Sequence, residues 1–291
     1  MEKLSRTDAA DLTVKELDVS KEMIIHGKVY DVGAFLKRHP GGGVIKFQLG
    51  TDASDAYNAF HLRSKKANKM LASLPSREPS AEWKQDALSR DFETLRQQLK
   101  DEGYFDPSIT HTIYRITEVV VMHLVGIWMI LNGWYHTGVL VSGIAQGRCG
   151  WLQHECGHYS LTGNIKIDRQ LQMLIYGLGC GMSGCYWRNQ HNKHHTTPQK
   201  LGADPDLQTL PLVAFHPIIG KKGSKRWLAM QAPLFFGGVI TSLVAFGWQF
   251  VLHPKHAFRV HNYVELFWMA VRYALWHCTF AHMGLGSELK L

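Results

Sequence analysis

The stretch "WLQHECGHYSLTG", residues 151–163, contains H-E-x-x-H between His154 and His158. On a helix that spacing puts two imidazoles on one face, where they can hold one zinc ion with Glu155 as the base of a metalloprotease. The same five residues are also H-x-x-x-H, one part of a larger metal cage. The long metzincin form needs glycine at 161 and histidine at 164, and this chain has Leu161 and Asn164. A shorter form with a downstream carboxylate ligand stays open, but it leaves a second histidine cluster without a task.

That cluster is "NQHNKHH", with His191, His194 and His195. His191 and His195 are four apart and so share a helical face, and His194 adds a third ring. Each histidine alone reads as an ordinary surface or core residue. Five in two helically spaced groups, His154, His158, His191, His194 and His195, make a set of neutral imidazoles suited to a borderline metal such as iron or zinc.

The rest of the chain says where such a cage would sit. Of 291 residues, the first 110 are rich in charge, whereas apolar stretches accumulate after Ile113. The formal charge of +8 is spread among those apolar stretches rather than clustered with stacking aromatics, which favours an anionic membrane face over nucleic acid as the partner. The start, "MEKLSRTDAADLTVKELDVS", has no apolar core of a signal peptide, so a cytosolic N-terminus is expected. Cys149, Cys156, Cys180, Cys185 and Cys278 form no C-x-x-C pair and read as small buried residues in a reducing compartment.

After a tail over 1–19, residues 20–75 read as a small mixed domain with a hairpin turn at His26-Gly27 and a breaker-rich loop at "HPGGG". "LPSREPSAE" reads as a linker, followed within 76–110 by a helix whose apolar stripe includes Leu88, Phe92, Leu95 and Leu99. That stripe suits either packing on its own domain or lying in a membrane interface. Four apolar stretches follow, 113–134, 138–152, 232–252 and 263–283, giving an all-α region with about four spans. Lysines and arginines concentrate between the second and third, which places that segment in the cytosol and "HPKHAFRVHN" across the membrane. "DRQLQMLIYGLGCGMSGCYW" reads as a helix buried against the cytosolic face, because a crossing there would separate the two histidine clusters.

"HECGH" and "HNKHH", set between apolar hairpins and preceded by "HPGG" at 39–42, resemble the first two histidine boxes of membrane fatty acid desaturases fused to cytochrome b5, the front-end type. The resemblance implies an α+β cytochrome b5-like domain over 20–75, then an all-α membrane desaturase domain over 111–291 with a cytosolic histidine-rich cap. It also implies haem b on His39 and His61, with both axial positions filled for electron transfer rather than oxygen binding. Two non-haem iron ions on His154, His158, His191, His194 and His195 are implied in the same way. Chemistry of that kind is what an unactivated methylene requires, since it has neither an acidic proton nor a leaving group. The implied partners are a polyunsaturated acyl-lipid or acyl-CoA substrate, O2, NADH-cytochrome b5 reductase and membrane lipids, with no nucleic acid. The implied location is the endoplasmic reticulum membrane, multi-pass, with N-terminus and histidine boxes facing the cytosol. The double bond is expected at a front-end position, delta-5, delta-6 or delta-8.

The family's third box, Q-x-x-H-H, has no counterpart after His195. The desaturase domain is therefore expected to be C-terminally incomplete and impaired, with a membrane-anchored b5-type electron carrier or regulatory fragment as the alternative. Asp204 and Asp206 stand either as groups orienting a ligand imidazole or as turn carboxylates beside Pro205, and His277 and His282 as span histidines. The shared-cage reading predicts that Glu155→Gln leaves the metal content of the purified protein unchanged while His158→Ala lowers it. The protease reading predicts no turnover without Glu155.

Overall fold

The computed structural model describes residues 14–211 and 213–282. Most of the expected tail over 1–19, and the chain from 283 onward, lie outside the described residues. The chain forms two compact units, one of residues up to Asp106 together with His195–Thr197 and the other of the rest.

In the first unit β1 (Glu22–Ile25) and β2 (Lys28–Asp31) pair antiparallel, with Ile25 opposite Lys28. The two-residue turn between them needs positive φ at both positions, and His26 and Gly27 supply it at 49° and 76°. Met23, Ile25, Val32 and Ala53 form a core on one side of the sheet, and Leu17, Ile24 and Val29 a smaller one on the other. A 3-10 turn, Gly42–Gln48, leads to α1 (Ser54–His61) and to α2 (Lys65–Ala72), whose start is capped by Ser64. Ser76–Arg77, inside the stretch read as a linker, forms β3 on the free edge of β2, and the Arg77 guanidinium pairs with Glu22 at 3.0 Å. Two residues between prolines carry no strand periodicity, so only the pairing reveals them.

The amphipathic helix is α3 (Ala87–Asp101), started by Asp86, whose carboxylate accepts from Ser89 N. Its Glu93–Arg96 pair is partly buried, and Glu93 accepts from Asn58 at 3.2 Å. Leu88, Phe92 and Leu95 are exposed instead. The polar edge therefore packs on the unit together with the half-buried Leu99, while Leu88, Phe92 and Leu95 face out.

The second unit is helical: α4 (Ile109–Leu131), α5 (Tyr135–Gly157), α6 (Ile165–Cys180), α7 (Gly184–Thr196), the short α8 (Pro217–Gly220) and α9 (Lys225–Ala229), a π-wound helix at Phe235–Leu252, α10 (His253–Arg259) and α11 (Tyr263–His282). Among the described residues, α4 is the one helix long and apolar enough to cross a bilayer. Its Ile113, Val120, Val121, Leu124 and Trp128 are exposed. The stretches at α5 and α11 are long enough but carry Gln146, Arg148 and Gln153, and Glu265 and Arg272, respectively. Cys149, Cys156 and Cys180 are buried as expected, whereas Cys185 is half-buried and Cys278 exposed.

Asn164 caps α6 by accepting from Lys166 N and Ile167 N. Gly181, at φ 70°, ends it by bonding back to Gly177 O, a turn that excludes β-branched residues. Gly177 lies against Trp268 and the backbone of Glu265, and Gly181 against Tyr273. Hence α11 runs parallel to α6, and its first turn lies beside the start of α7. This differs from the expectation that "HPKHAFRVHN" lies across the membrane from the histidines: His253 Nδ1 is 2.8 Å from Ser183 N.

Helices α4 and α5 cross where glycines let the backbones touch. A Cβ on Gly138 would sit 2.7 Å from Gly126 O and 2.9 Å from Ile130 N, whereas one on Gly143 would meet nothing within 4 Å. Gly138→Ala is predicted to destabilise the helical unit by about 1–3 kcal/mol through overpacking. Gly143→Ala should leave the thermal melting point unchanged or raise it, and the pair is read by unfolding in detergent.

Candidate functional site

Two sites emerge, one in the first unit and one built on α5 and α7. In the first, His39 follows β2 and precedes the 3-10 turn, and His61 closes α1. Their ring centres are 6.2 Å apart. Two imidazoles bound on opposite sides of one metal at ~2 Å per bond have centres about 6 Å apart. Each ring also has its Nδ1 engaged by a backbone carbonyl, Gly42 O for His39 and Tyr57 O for His61, both at 3.0 Å. With Nδ1 carrying the proton, Nε2 is the free ligand atom in both. Burial, against the pull of the Tyr57 carbonyl, holds the His61 pKa below its ordinary value, so the ring is neutral and ligand-competent near neutral pH. A side chain on Gly41 would come within 2.7 Å of His39 Cε1, so it would push the His39 ring from this position. These residues fit a haem held by two histidines.

In the second unit, α5 ends at Gly157 with His158 at its C-cap, and Tyr159, at φ 58°, turns the chain away. His154 and His158 therefore stand at the end of α5, ring centres 4.7 Å apart. On α7, His191 brings its ring to 4.8 Å from His154 and 5.0 Å from His158. The Nε2 atoms of His158 and His191 lie 3.0 Å apart. Two nitrogens adjacent on one metal, each about 2.1 Å from it, have that separation. Burial lowers the His154 pKa and keeps its lone pair available. His195 follows one turn beyond His191 on the same helix and is exposed. The imidazole that joins His154 and His158 is His191 of the second histidine cluster, not a downstream carboxylate, which is the arrangement of a shared cage rather than of a short-form zinc protease.

His194 points elsewhere. Its Nδ1 is 3.1 Å from both oxygens of Asp204 and 3.3 Å from Asp206. Asp204 is fully buried, and its oxygens also accept from Gln199 N at 2.8 Å and Asp206 N at 2.9 Å. Burial works to raise the Asp204 pKa, but these donors and the His194 ring outweigh it and hold the carboxyl below its ordinary range. An ionised carboxylate on Nδ1 leaves Nε2 of His194 as the ligand atom. The fold thus brings His154, His158 and His191 into direct contact and sets His194, with its ring 6.1 Å from that of His191, in a second group.

Trp187 was not among the candidates. It stacks on His191 at 4.1 Å and meets His154 edge-on at 5.2 Å. It reaches them because Gly157 has no side chain: a Cβ there would strike the Trp187 ring and lie 2.8 Å from Gln172 Nε2. Its place one turn before His191, in "YWRNQH", is the sequence signal that could have marked it.

Residues 10–76 match the family described as "Cytochrome b5-like Heme/Steroid binding domain", and residues 128–288 the family described as "Fatty acid desaturase". The chain is 53% identical over 275 residues to an "Acyl-lipid (8-3)-desaturase" of Rebecca salina, covering 92% of this chain and 64% of that protein. It is 42% identical over 301 residues to an "Acyl-lipid (8-3)-desaturase" of Thraustochytrium sp, covering 96% and 68%. A "Delta(8)-fatty-acid desaturase" of Borago officinalis is 29% identical over 252 residues, 84% of this chain and 55% of that protein. The chain thus spans about two thirds or less of the length of these relatives. No solved structure matches it significantly.

The crowding at Gly41 gives a test that spares both histidines. Gly41→Ala is predicted to displace the His39 ring and weaken haem binding, whereas Gly43→Ala, where a Cβ meets nothing within 4 Å, should not. Haem titration followed by the Soret band distinguishes them.

Proposed function

This chain belongs to the fatty acid desaturase family, with a fused cytochrome b5-like domain, and we propose that it serves the oxygen-dependent desaturation of polyunsaturated acyl chains. The observation that carries this reading is the meeting of His154 and His158 with His191, ligand nitrogens within 4.8 Å of one another, at the join of α5 and α7. Two iron ions bound among His154, His158, His191, His194 and His195 would supply, with O2, an oxidant able to take hydrogen atoms from an unactivated methylene. The protein's own groups do the positioning. Trp187 packs the three clustered rings and shields them from water, and Asp204 fixes the tautomer and direction of His194. His39 and His61 would hold haem b, which would supply one-electron transfer to the second unit's centre.

The relatives' printed names favour an acyl-lipid as the carrier of the substrate. We assign a front-end position, delta-5, delta-6 or delta-8, with electrons from NADH-cytochrome b5 reductase. The domains proposed are 20–75 for haem, 76–110 as connection and 111–291 for the desaturase. The last is assigned to the endoplasmic reticulum membrane, with the N-terminus and histidine cap in the cytosol. A second reading, a b5-type electron carrier, is favoured by one fact: the His39–His61 pair is complete within the first unit. Iron counted separately as haem and non-haem in the purified chain decides between them. Desaturase chemistry predicts non-haem iron in excess of haem, and haem as the sole iron would leave the carrier. Asp204→Asn is predicted to lower the affinity of the non-haem site about 10–100-fold without changing haem content, measured by metal titration.

A further inference from the structure

Helix α7 is held at its start by residues that the metal site does not explain. Glu265 is fully buried on the first turn of α11, although it falls inside a stretch apolar enough to have been read as a span. A carboxylate there persists only with partners. One oxygen accepts from Cys185 N at 2.9 Å, and the other accepts a short hydrogen bond from the Ser183 hydroxyl. That hydroxyl in turn accepts from Tyr186 N at 3.1 Å, and Ser183 N donates to Nδ1 of the buried His253 at 2.8 Å. Glu265 N itself faces Asn262 Oδ1 at 3.4 Å, so the carboxylate lies where the positive ends of two helices, α7 and α11, meet. Of the first-turn amides of α7, that of Cys185 is thus satisfied by Glu265 from another helix and that of Tyr186 by Ser183, whose hydroxyl Glu265 itself holds.

We propose that Glu265 is a positioning residue, which through Ser183 and Cys185 locks the first turn of α7 and so sets where His191 and His194 are presented. The part played by those histidines rests on the reading above; the anchor rests on its own hydrogen bonds. His191 lies two turns beyond Cys185 on a single helix, so a pivot at the start of α7 moves the ligand rings sideways with nothing between to absorb it.

Hydrogen exchange on the full chain in lipid nanodiscs tests the anchor without any metal, with Glu265→Ala, Glu265→Gln and Ser183→Ala beside the parent. Glu265→Ala should speed exchange at Cys185–Trp187 by about tenfold or more, as expected for losing a charged acceptor, while α5 and α6 keep their protection. Glu265→Gln should fall between, since its amide oxygen still accepts from Cys185 N. Unchanged exchange in α7, or equal losses across α5 and α6, would overturn the anchor. Titration with Co2+ then reads the consequence. Glu265→Ala should bind more weakly and shift the ligand-field bands, with the Soret band as an unaffected control, whereas parental affinity and bands would overturn the positioning role. A parent chain that takes up no Co2+ would refute the metal-centre reading instead, and the exchange result would still decide the anchor.

Discussion

The close approach of α7 to the end of α5 is the constraint on which the helical unit depends. Gly157 makes it possible, because any Cβ there would occupy the space of the Trp187 ring and crowd Gln172. Gln172 is fully buried and donates to Gln153 Oε1 at 2.8 Å, while Arg188 donates to its carbonyl oxygen, so the polar groups enclosed by the approach are paired. Once Trp187 lies against α5, His191 has little choice of direction. Its ring is sandwiched between the indole and the imidazoles of α5, and the site follows from packing before any metal arrives.

The two histidine sites solve the same problem in different ways. At His39 and His61 the outward Nδ1 atoms are tied to backbone carbonyls, which are neutral and fixed by the turn and the helix. At His194 the tie is a buried carboxylate that two backbone amides hold in place. A carboxylate raises the basicity of its imidazole more than a carbonyl does, and so suits a ligand of a highly charged metal. The contrast fits the different roles proposed for the two units.

Much of this was legible in the residues, for physical reasons. Spacings of three and four report directly on helical faces, so His154 with His158 and His191 with His194 and His195 could be grouped without a structure. His39 and His61 are too far apart for periodicity to link them, and only the resemblance to cytochrome b5 paired them. Asp204 reads equally well as an ordinary turn carboxylate beside proline, because its burial depends on the tertiary fold. Glu265 reads as a blemish on an apolar stretch and His253 as part of a connecting loop, since partners supplied from a distant helix leave no local pattern. The strand at Ser76–Arg77 was lost for the same reason, and α3 was legible as a helix though not in the direction its apolar stripe faces.

The central claim is that imidazoles from α5 and α7 bind one metal centre together. X-ray absorption at the iron edge measures this most directly, on a His39→Ala/His61→Ala variant that carries no haem and so reports only non-haem iron. The account predicts retained iron with a nitrogen first shell and the outer-shell scattering of imidazole rings, reduced in parallel when either His158 or His191 is further replaced. Iron that is absent, or coordinated by oxygen alone with no imidazole scattering, would contradict it.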